Sequence, residues 1–379
     1  MAGTDETQAA LVGGNEGDIV LSGSAPLPPL PLEDDQVAVS VKAVSLNPVD
    51  TKMLGGYHTV GAISGCEFAG IVTDVGSKVT ADWDIRPGDR VSAAIMGMNP
   101  LRPRIGAFAQ HSVAPGRCVL RMRDDWSFAQ STGIGNSWYT VAWALFHVMG
   151  LPAGPALEPL NSQLPPPVLA GPNIKIDNFG GKRTAVLVSG GSSSTGTCAI
   201  QLLKMAGFDV VATCSESNFE LVRSYGADAL FNHASPTVAS DIRDHTRNGL
   251  RLALDCITTN ETTRLCYAAL GRSGGRYVAL DPYNEAITAT RSVVRPDWVL
   301  GPEMIGEEIG WPAPHGRKAN PTAKRFCQVW NRTLQGLLDR GMVRTHPQRV
   351  RDTGLEGVLE GFEEIRSKQV SGQKLIYIL

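Results

Sequence analysis

From Thr184 onward the chain alternates strand-like and helix-like segments, and that order leaves few architectures open. "TAVLVS" is a continuous apolar run with the composition of a buried strand. It passes through "GGSSSTG" into the helical stretch "TGTCAIQLLKMAG", which Gly207 closes. "FDVVATC" and "SNFELVRSYG" repeat the strand and the helix, and "LRLALDCI" and "GRYVAL" add further strands. Strands alternating with helices predict an α/β domain, a doubly wound parallel sheet covered on both faces.

The first strand-to-helix turn is the chemically suggestive one. Gly190 and Gly191 allow a tight bend, and Gly196 allows helix and strand to approach closely. Between them Ser192, Ser193, Ser194 and Thr195 offer hydroxyls beside the amides of a helix N-terminus, a place suited to phosphate. The strict GxGxxG spacing is absent, so a glycine-serine turn in some other α/β fold competes with a nucleotide cradle. The flanking strand and helix favour the cradle. An NAD site normally carries a carboxylate after the second strand; here Thr213, Cys214 and Ser215 stand there, with Glu216 one step later. Ser215, Ser217 and Asn218 are small donors that suit a 2′-phosphate, and Arg223 adds charge if its helix turns it inward. NADPH is the expected cofactor.

The first third reads differently. "QVAVSVKAVSLNP" alternates, with Val37, Val39, Val41 and Ala43 on one face; "EFAGIVTDVG" and "GAFAQHSVAP" behave similarly, and Pro87-Gly88-Asp89 marks a turn. Short strands punctuated by glycine and proline predict a small barrel-like domain. Between Trp126 and Gly150 the period becomes helical, and residues 151–182, rich in proline and glycine, read as a long loop or insertion. The tail "GLEGVLEGFEEIRSKQVSGQKLIYIL" predicts a helix and a strand that suit the first domain better than the second. At 379 residues two cores are possible, and a net charge of −2 gives no reason to expect nucleic acid. No apolar run approaches a membrane span, and the acidic N-terminus is unlike a secretory signal, so a cytoplasmic location is expected. Seven scattered cysteines with no CxxC pair read as reduced thiols.

"NPVDTKM", "GCEFAGIVTDVG", "RPGDRV", the serine-rich turn and "SGQKLI" together resemble the medium-chain dehydrogenase/reductase superfamily. "ATCSESNFEL", "ALDCITT", "GRSGGRYVAL", "DWVLGP" and "GWPAPHGR" narrow the likeness to the fungal trans-acting enoyl reductases of highly reducing polyketide synthases, the lovastatin-type stand-alone enzymes. The resemblance implies a GroES-like β-rich catalytic domain split around a Rossmann domain: 1–140 and 326–379 for the first, 141–325 for the second. It implies hydride transfer from NADPH to the α,β-unsaturated thioester of a chain held on an acyl carrier protein domain, by a monomer.

The same resemblance places Val49, Asp50, Thr51 and Lys52 at the nicotinamide end, with Lys52 the donor near the reacting carbonyl or the cofactor. It puts Ser193, Ser194, Thr195 and Gly196 at the pyrophosphate, and Ser215, Glu216, Ser217, Asn218, Phe219 and His233 at the adenosine phosphate. His233 falls where relatives usually carry a tyrosine. The resemblance also implies that Leu280 and Asp281 lie on the nicotinamide side, and Ser371 and Gly372 at the closing strand. Substrate would be lined by Ala142, Trp143, Ala144, Leu145, Phe146, His147, Val148 and Met149, and by Leu300, Gly301, Pro302, Glu303 and Met304.

Zinc relatives use a Cys and a His–Glu pair; Asn47 and Cys66 stand near those positions, and the Cys66-Glu67 pair reads as a core thiol beside a buried carboxylate rather than as metal ligands. The reaction is expected to be metal-free. Several residues keep a plainer reading. Lys52 alone would pass for a solvated lysine, Trp143, Phe146 and Met149 for core, and His147 for a packed or surface histidine rather than an acid. Arg102, Arg104, Arg117, Arg121 and Arg123 fall in a stretch without acids; they serve solubility or carrier docking. Two alternatives stay open: a free-standing quinone or enone reductase, and a non-catalytic partner that binds the synthase.

Overall fold

The structure is a computed structural model that describes residues 7–151 and 184–379. The proline-rich stretch read as an insertion lies almost wholly outside the described residues. The chain divides into two compact units: one comprises everything up to Asn136 together with Pro302–Leu379, and the other comprises Ser137–Gly301.

The first unit is built on a seven-stranded, mainly antiparallel sheet whose centre is the long strand Gln36–Ser45. Its alternation is what the sequence led us to expect: Val37, Val39, Val41 and Ala43 are all buried. The strand pairs antiparallel with Glu67–Val75, with His111–Pro115 and with the C-terminal strand Lys374–Ile378. So the tail does complete the first unit's sheet. A separate hairpin, Thr7–Gly13 with Ile19–Pro26, packs Ala10, Val12 and Ala25 against Ile63 and Ala109. The chain returns to this unit at Pro302 rather than at 326. The ties are polar and join residues distant in sequence: Arg117 Nε donates to Ile305 O, Asn99 Nδ2 to Glu308 O and Trp311 Nε1 to Met98 O. None of this shows as a periodic signal. The helix Pro321–Asp339 follows, burying Phe326, Trp330, Leu334 and Leu337 along one stripe.

The second unit is a six-stranded, all-parallel sheet. Its strands are Ala185–Ser189, Asp209–Cys214, Ala229–Asn232, Leu252–Asp255, Gly275–Ala279 and Val294–Trp298. Counted along the chain, their spatial order is 3-2-1-4-5-6, the Rossmann order. Ala185–Ser189 and Leu252–Asp255 lie side by side, and from that seam the chain winds outward in both directions. Leu187, Val211, Ala253 and Tyr277 from four strands pack with Ile242, Leu250 and Cys266 as the core.

Ahead of this sheet the expected helix is interrupted. Gly135–Ala142 is α-helical, but Trp143–Val148 is π-helical, with Met149 N bonded back to Ala144 O. The wider turn brings Trp143 and His147 face to face, ring centroids 3.9 Å apart and 9° from parallel. Among the described residues no helix is long and apolar enough to cross a membrane.

Candidate active site

In the second unit the serine-glycine turn leaves the carboxyl end of the strand Ala185–Ser189, beside Asp255 at the end of its neighbour. Gly190 has φ +81, and a Cβ there would meet Ile257 Cγ1 at 2.5 Å. A Cβ on Gly196 would meet Gly190 O at 2.2 Å, so the first helical turn lies directly on the bend. Ser193 caps the helix Ser194–Met205: its Oγ accepts from Gly196 N at 3.0 Å and donates to Gly190 O at 2.8 Å. That hydroxyl shapes the turn. Ser194 Oγ lies 2.7 Å from Ser137 Oγ, and Thr195 Oγ1 lies 3.2 Å from Ser193 Oγ. The amides of Ser194 and Thr195 are the first of the helix, where no earlier helical carbonyl reaches. A turn this tight, with leading amides at the switch point of a 3-2-1-4-5-6 sheet, fits the pyrophosphate of a dinucleotide.

The second strand ends in Cys214; Ser215 follows in extended backbone, and the short 3₁₀ turn Glu216–Asn218 leads to Phe219. Glu216 is exposed, and its Oε1 accepts from Asn232 Nδ2 at 3.0 Å. His233 is exposed, its backbone N donating to Cys214 O, and Arg223 is exposed on its helix. Leu280 N donates to Asp255 O and to Thr258 Oγ1, and Asp281 follows half-buried. Asp255 itself is buried, accepts from Ile257 N, Thr258 N and Tyr277 Oη, and is pushed up by burial. Of the expected substrate lining, Ala142, Trp143, Ala144, Leu145, Phe146 and Met149 are buried, while His147 and Val148 are half-buried. Leu300 is buried and Gly301 half-buried at the end of this unit. Pro302, Glu303 and Met304 belong to the first unit, where Glu303 is held by Asn320 Nδ2 at 3.0 Å and Arg317 Nε at 3.4 Å.

The first unit contains a buried charge cluster. Glu67 is fully buried, and its Oε2 accepts from Ser45 Oγ at 2.5 Å and Asn47 Nδ2 at 3.2 Å. The same oxygen lies 3.0 Å from Lys374 Nζ, and Oε1 accepts from Asn136 N at 2.9 Å. Lys374 Nζ also donates to Asn47 Oδ1 at 2.6 Å, and Asn47 N donates to Asp50 Oδ2 at 2.7 Å. Burial pushes Asp50 up to about 7 and raises the adjacent Cys66 thiol well above its usual range. His346 is held down at about 4 by burial and by the Lys374 ammonium. Among the described residues no three His, Cys, Asp or Glu side chains converge as metal ligands do. The carboxylate that a cation would seek already holds one supplied by the chain. Lys374 sits inside "SGQKLI", and its role is invisible from spacing alone.

Asp50 closes a capping box on the short helix Pro48–Thr51, which presents half-buried Val49 and Thr51 and ends at Lys52. Lys52 is half-buried, with Nζ 3.5 Å from His315 Nε2. His315 lies in "GWPAPHGR", quoted above for resemblance but not singled out as a site residue. Exposed Ser371 and half-buried Gly372, at φ +62, lead into the strand that carries Lys374.

The basic stretch is not a bare positive face. Arg117 is 2% exposed and paired with Asp35 and Glu307. Arg102 pairs with Glu33 and Glu307, Arg121 with Asp84, and Arg123 with Asp125. Arg104 Nε donates to Leu27 O.

Comparisons with known proteins agree with both units. Residues 33–124 match the alcohol dehydrogenase GroES-like domain, and residues 194–293 match the zinc-binding dehydrogenase domain. The trans-enoyl reductase tasC of Hapsidospora irregularis is 73% identical, with 100% of each chain covered. The trans-enoyl reductase cghC of Chaetomium globosum is 66% identical, again with 100% of each covered. Among solved structures the CurK enoyl reductase matches with a TM-score of 0.69 at 17% identity, covering 98% of each chain, a likeness of fold. A split GroES-like unit, a Rossmann unit and full-length relatives at this identity lead to one conclusion: the chain is an oxidoreductase that belongs to the fungal trans-enoyl reductases, within the medium-chain dehydrogenase/reductase superfamily.

Proposed function

We propose that the chain reduces the α,β-unsaturated thioester of a polyketide chain carried on an acyl carrier protein domain, using NADPH, without a metal. The observation that carries this reading is the Gly190–Gly196 turn at the switch point of the parallel sheet, held at a separation only glycine permits. NADPH when bound supplies the hydride to the β-carbon of the double bond. The chain's own tasks are to hold the cofactor, align the substrate and steady the negative charge that develops on the thioester oxygen.

Ser194 and Thr195 offer the leading helix amides to phosphate, with Gly196 permitting the approach. Ser215, Ser217 and Asn218 are the proposed grip on the 2′-phosphate. Two features support NADPH over NADH: no carboxylate stands at Cys214 or Ser215, and the Glu216 carboxylate is engaged by Asn232. Leu280 and Asp281 are assigned to the nicotinamide side, and the π-helical turn at Trp143–Val148 to the substrate side. Lys52 is the proposed donor to the developing enolate; one oriented donor removed from such a site costs roughly 2.7–4 kcal/mol of barrier. We read the protein as a cytosolic monomer. Its seven cysteines are free, and the edge strand Val294–Trp298 carries Pro296 and exposed Arg295 and Asp297, which discourage pairing with another sheet.

The test compares NADPH with NADH at equal concentration on a carrier-bound enoyl thioester and on a soluble enone. The reading expects NADPH and the carrier-bound chain to give the higher kcat/KM. Preference for NADH would overturn the cofactor assignment, and equal rates on the enone would favour a free-standing reductase.

A further inference from the structure

Lys52 ends a flexible four-carbon stem, so a role in catalysis requires something to fix its ammonium. The loop between Ile309 and Arg317 supplies a candidate within the same unit. It is closed by paired backbone bonds between those two residues and tied down through Asn99, which bonds both Glu308 O and Gly310 N. A Cβ on Gly316 would meet Trp311 O at 2.2 Å, so the turn is tight. Its product is His315, 6% exposed, whose Nε2 faces Lys52 Nζ at 3.5 Å and whose Nδ1 lies 2.7 Å from Tyr57 Oη. The Tyr57 ring stands edge-on to the imidazole, centroids 4.8 Å apart, and packs against Trp311 at 5.1 Å.

Donor chemistry decides the state of this ring. An ammonium only donates, so the nitrogen facing it must be the bare one. The proton of the neutral imidazole then sits on Nδ1 and is donated to Tyr57 Oη. The contact to Lys52 is at the long limit of a hydrogen bond, which suits a group that has to be held in place yet remain available to substrate. We infer that His315 is a positioning residue for Lys52: neutral, protonated on Nδ1 by virtue of Tyr57, and orienting the lysine ammonium through Nε2. The kinetic part of this inference rests on the donor role proposed for Lys52; the ring state does not.

Two measurements test it. In protein carrying ¹⁵N-labelled histidine, the ring signals that vanish in His315→Gln should show the Nδ1–H tautomer; an Nε2–H ring or an imidazolium would overturn the inference. In turnover of an enoyl thioester, His315→Ala should lower kcat roughly ten- to a hundredfold, with the Kd for NADPH unchanged. His315→Gln, which keeps an acceptor at the reach of Nε2, should recover most of the loss. Tyr57→Phe should lose less than His315→Ala. In a Lys52→Ala background, replacing His315 should cost nothing further. Equal losses in the alanine and glutamine variants, or a full additional loss in the Lys52→Ala background, would contradict the assignment. A wild-type protein that binds NADPH but reduces no thioester would retire the proposed function and leave the ring tautomer to decide this point.

Discussion

The buried cluster around Glu67 and the turn at Gly190–Gly196 handle charge by opposite means. Around Glu67 the chain supplies both signs: a carboxylate at 0% exposure, an ammonium 3.0 Å away, and amide and hydroxyl donors for the remaining lone pairs. At the turn the chain supplies only a shape. Ser193 caps the helix, and Gly196 lets the first helical turn lie against Gly190 O, where a Cβ would come within 2.2 Å. One region is closed by internal pairing and sets the geometry of the segment that carries Lys52. The other is the turn proposed above to hold the pyrophosphate of the cofactor. The sequence likeness sets Asn47 and Cys66 near the ligand positions of zinc relatives, and beside them Lys374 supplies the positive charge that faces Glu67.

Removing that charge is the harshest way to break the contrast. Lys374→Met strands the Glu67 carboxylate in the interior and should cost about 3–5 kcal/mol in urea unfolding. Combining it with Glu67→Gln should recover part of the loss, because no bare charge is then left buried. A Lys374→Met protein as stable as wild type would show that the pair does not hold this region.

Asp50 gives the next effect, and its sign can be worked out. Burial raises its pKa to about 7 in the folded protein, above the ordinary carboxylate range, so the folded state holds the proton more tightly than the unfolded one. Its contribution is complete below the unfolded value and is lost as pH rises through about 7, by up to about 4 kcal/mol. Asp50→Asn keeps an oxygen for Asn47 N and should flatten the fall in Tm that the wild type shows between about pH 4 and pH 7. An unchanged slope would contradict the assignment.

Two substitutions sharpen the comparison from the other side. Gly196→Ala drives a Cβ into Gly190 O and should cost about 1–3 kcal/mol, read as weaker NADPH binding and a lower Tm. Ser193→Ala removes a helix cap, so it should cost about 1 kcal/mol of stability and weaken NADPH less than Gly196→Ala does. The reverse ranking would make the Ser193 hydroxyl a phosphate ligand rather than a cap.

What could be read from the residues followed local pattern. The alternation of Val37, Val39, Val41 and Ala43, the strand–turn–helix at Val186–Leu203 and the glycines of the turn are short-range signals, and each corresponds to an element in the structure. The stripe Phe326, Trp330, Leu334 and Leu337 has helical spacing too, although the helix Pro321–Asp339 lies outside the elements expected above. What stayed hidden depends on distant partners. Lys374 meets Asn47 across 327 residues of sequence, and His315 meets Lys52 across 263. Both residues lie in segments that carry the family likeness, but neither contact leaves a period or a spacing that pairs the two partners. The π-helical turn was hidden for a different reason: apolar spacing in Trp143–Met149 suits an α-helix equally well, and only the Trp143–His147 stack and the Met149–Ala144 bond mark the wider turn.

The most direct test of the account follows the hydride in protein stripped by a chelator. Given NADPH deuterated at the transferable position of C4 and an enoyl thioester on its carrier protein, the stripped enzyme should place a single deuterium on the β-carbon of the product, at the rate of the untreated enzyme. A β-carbon without deuterium, or a rate that collapses on chelation and returns with zinc, would contradict it.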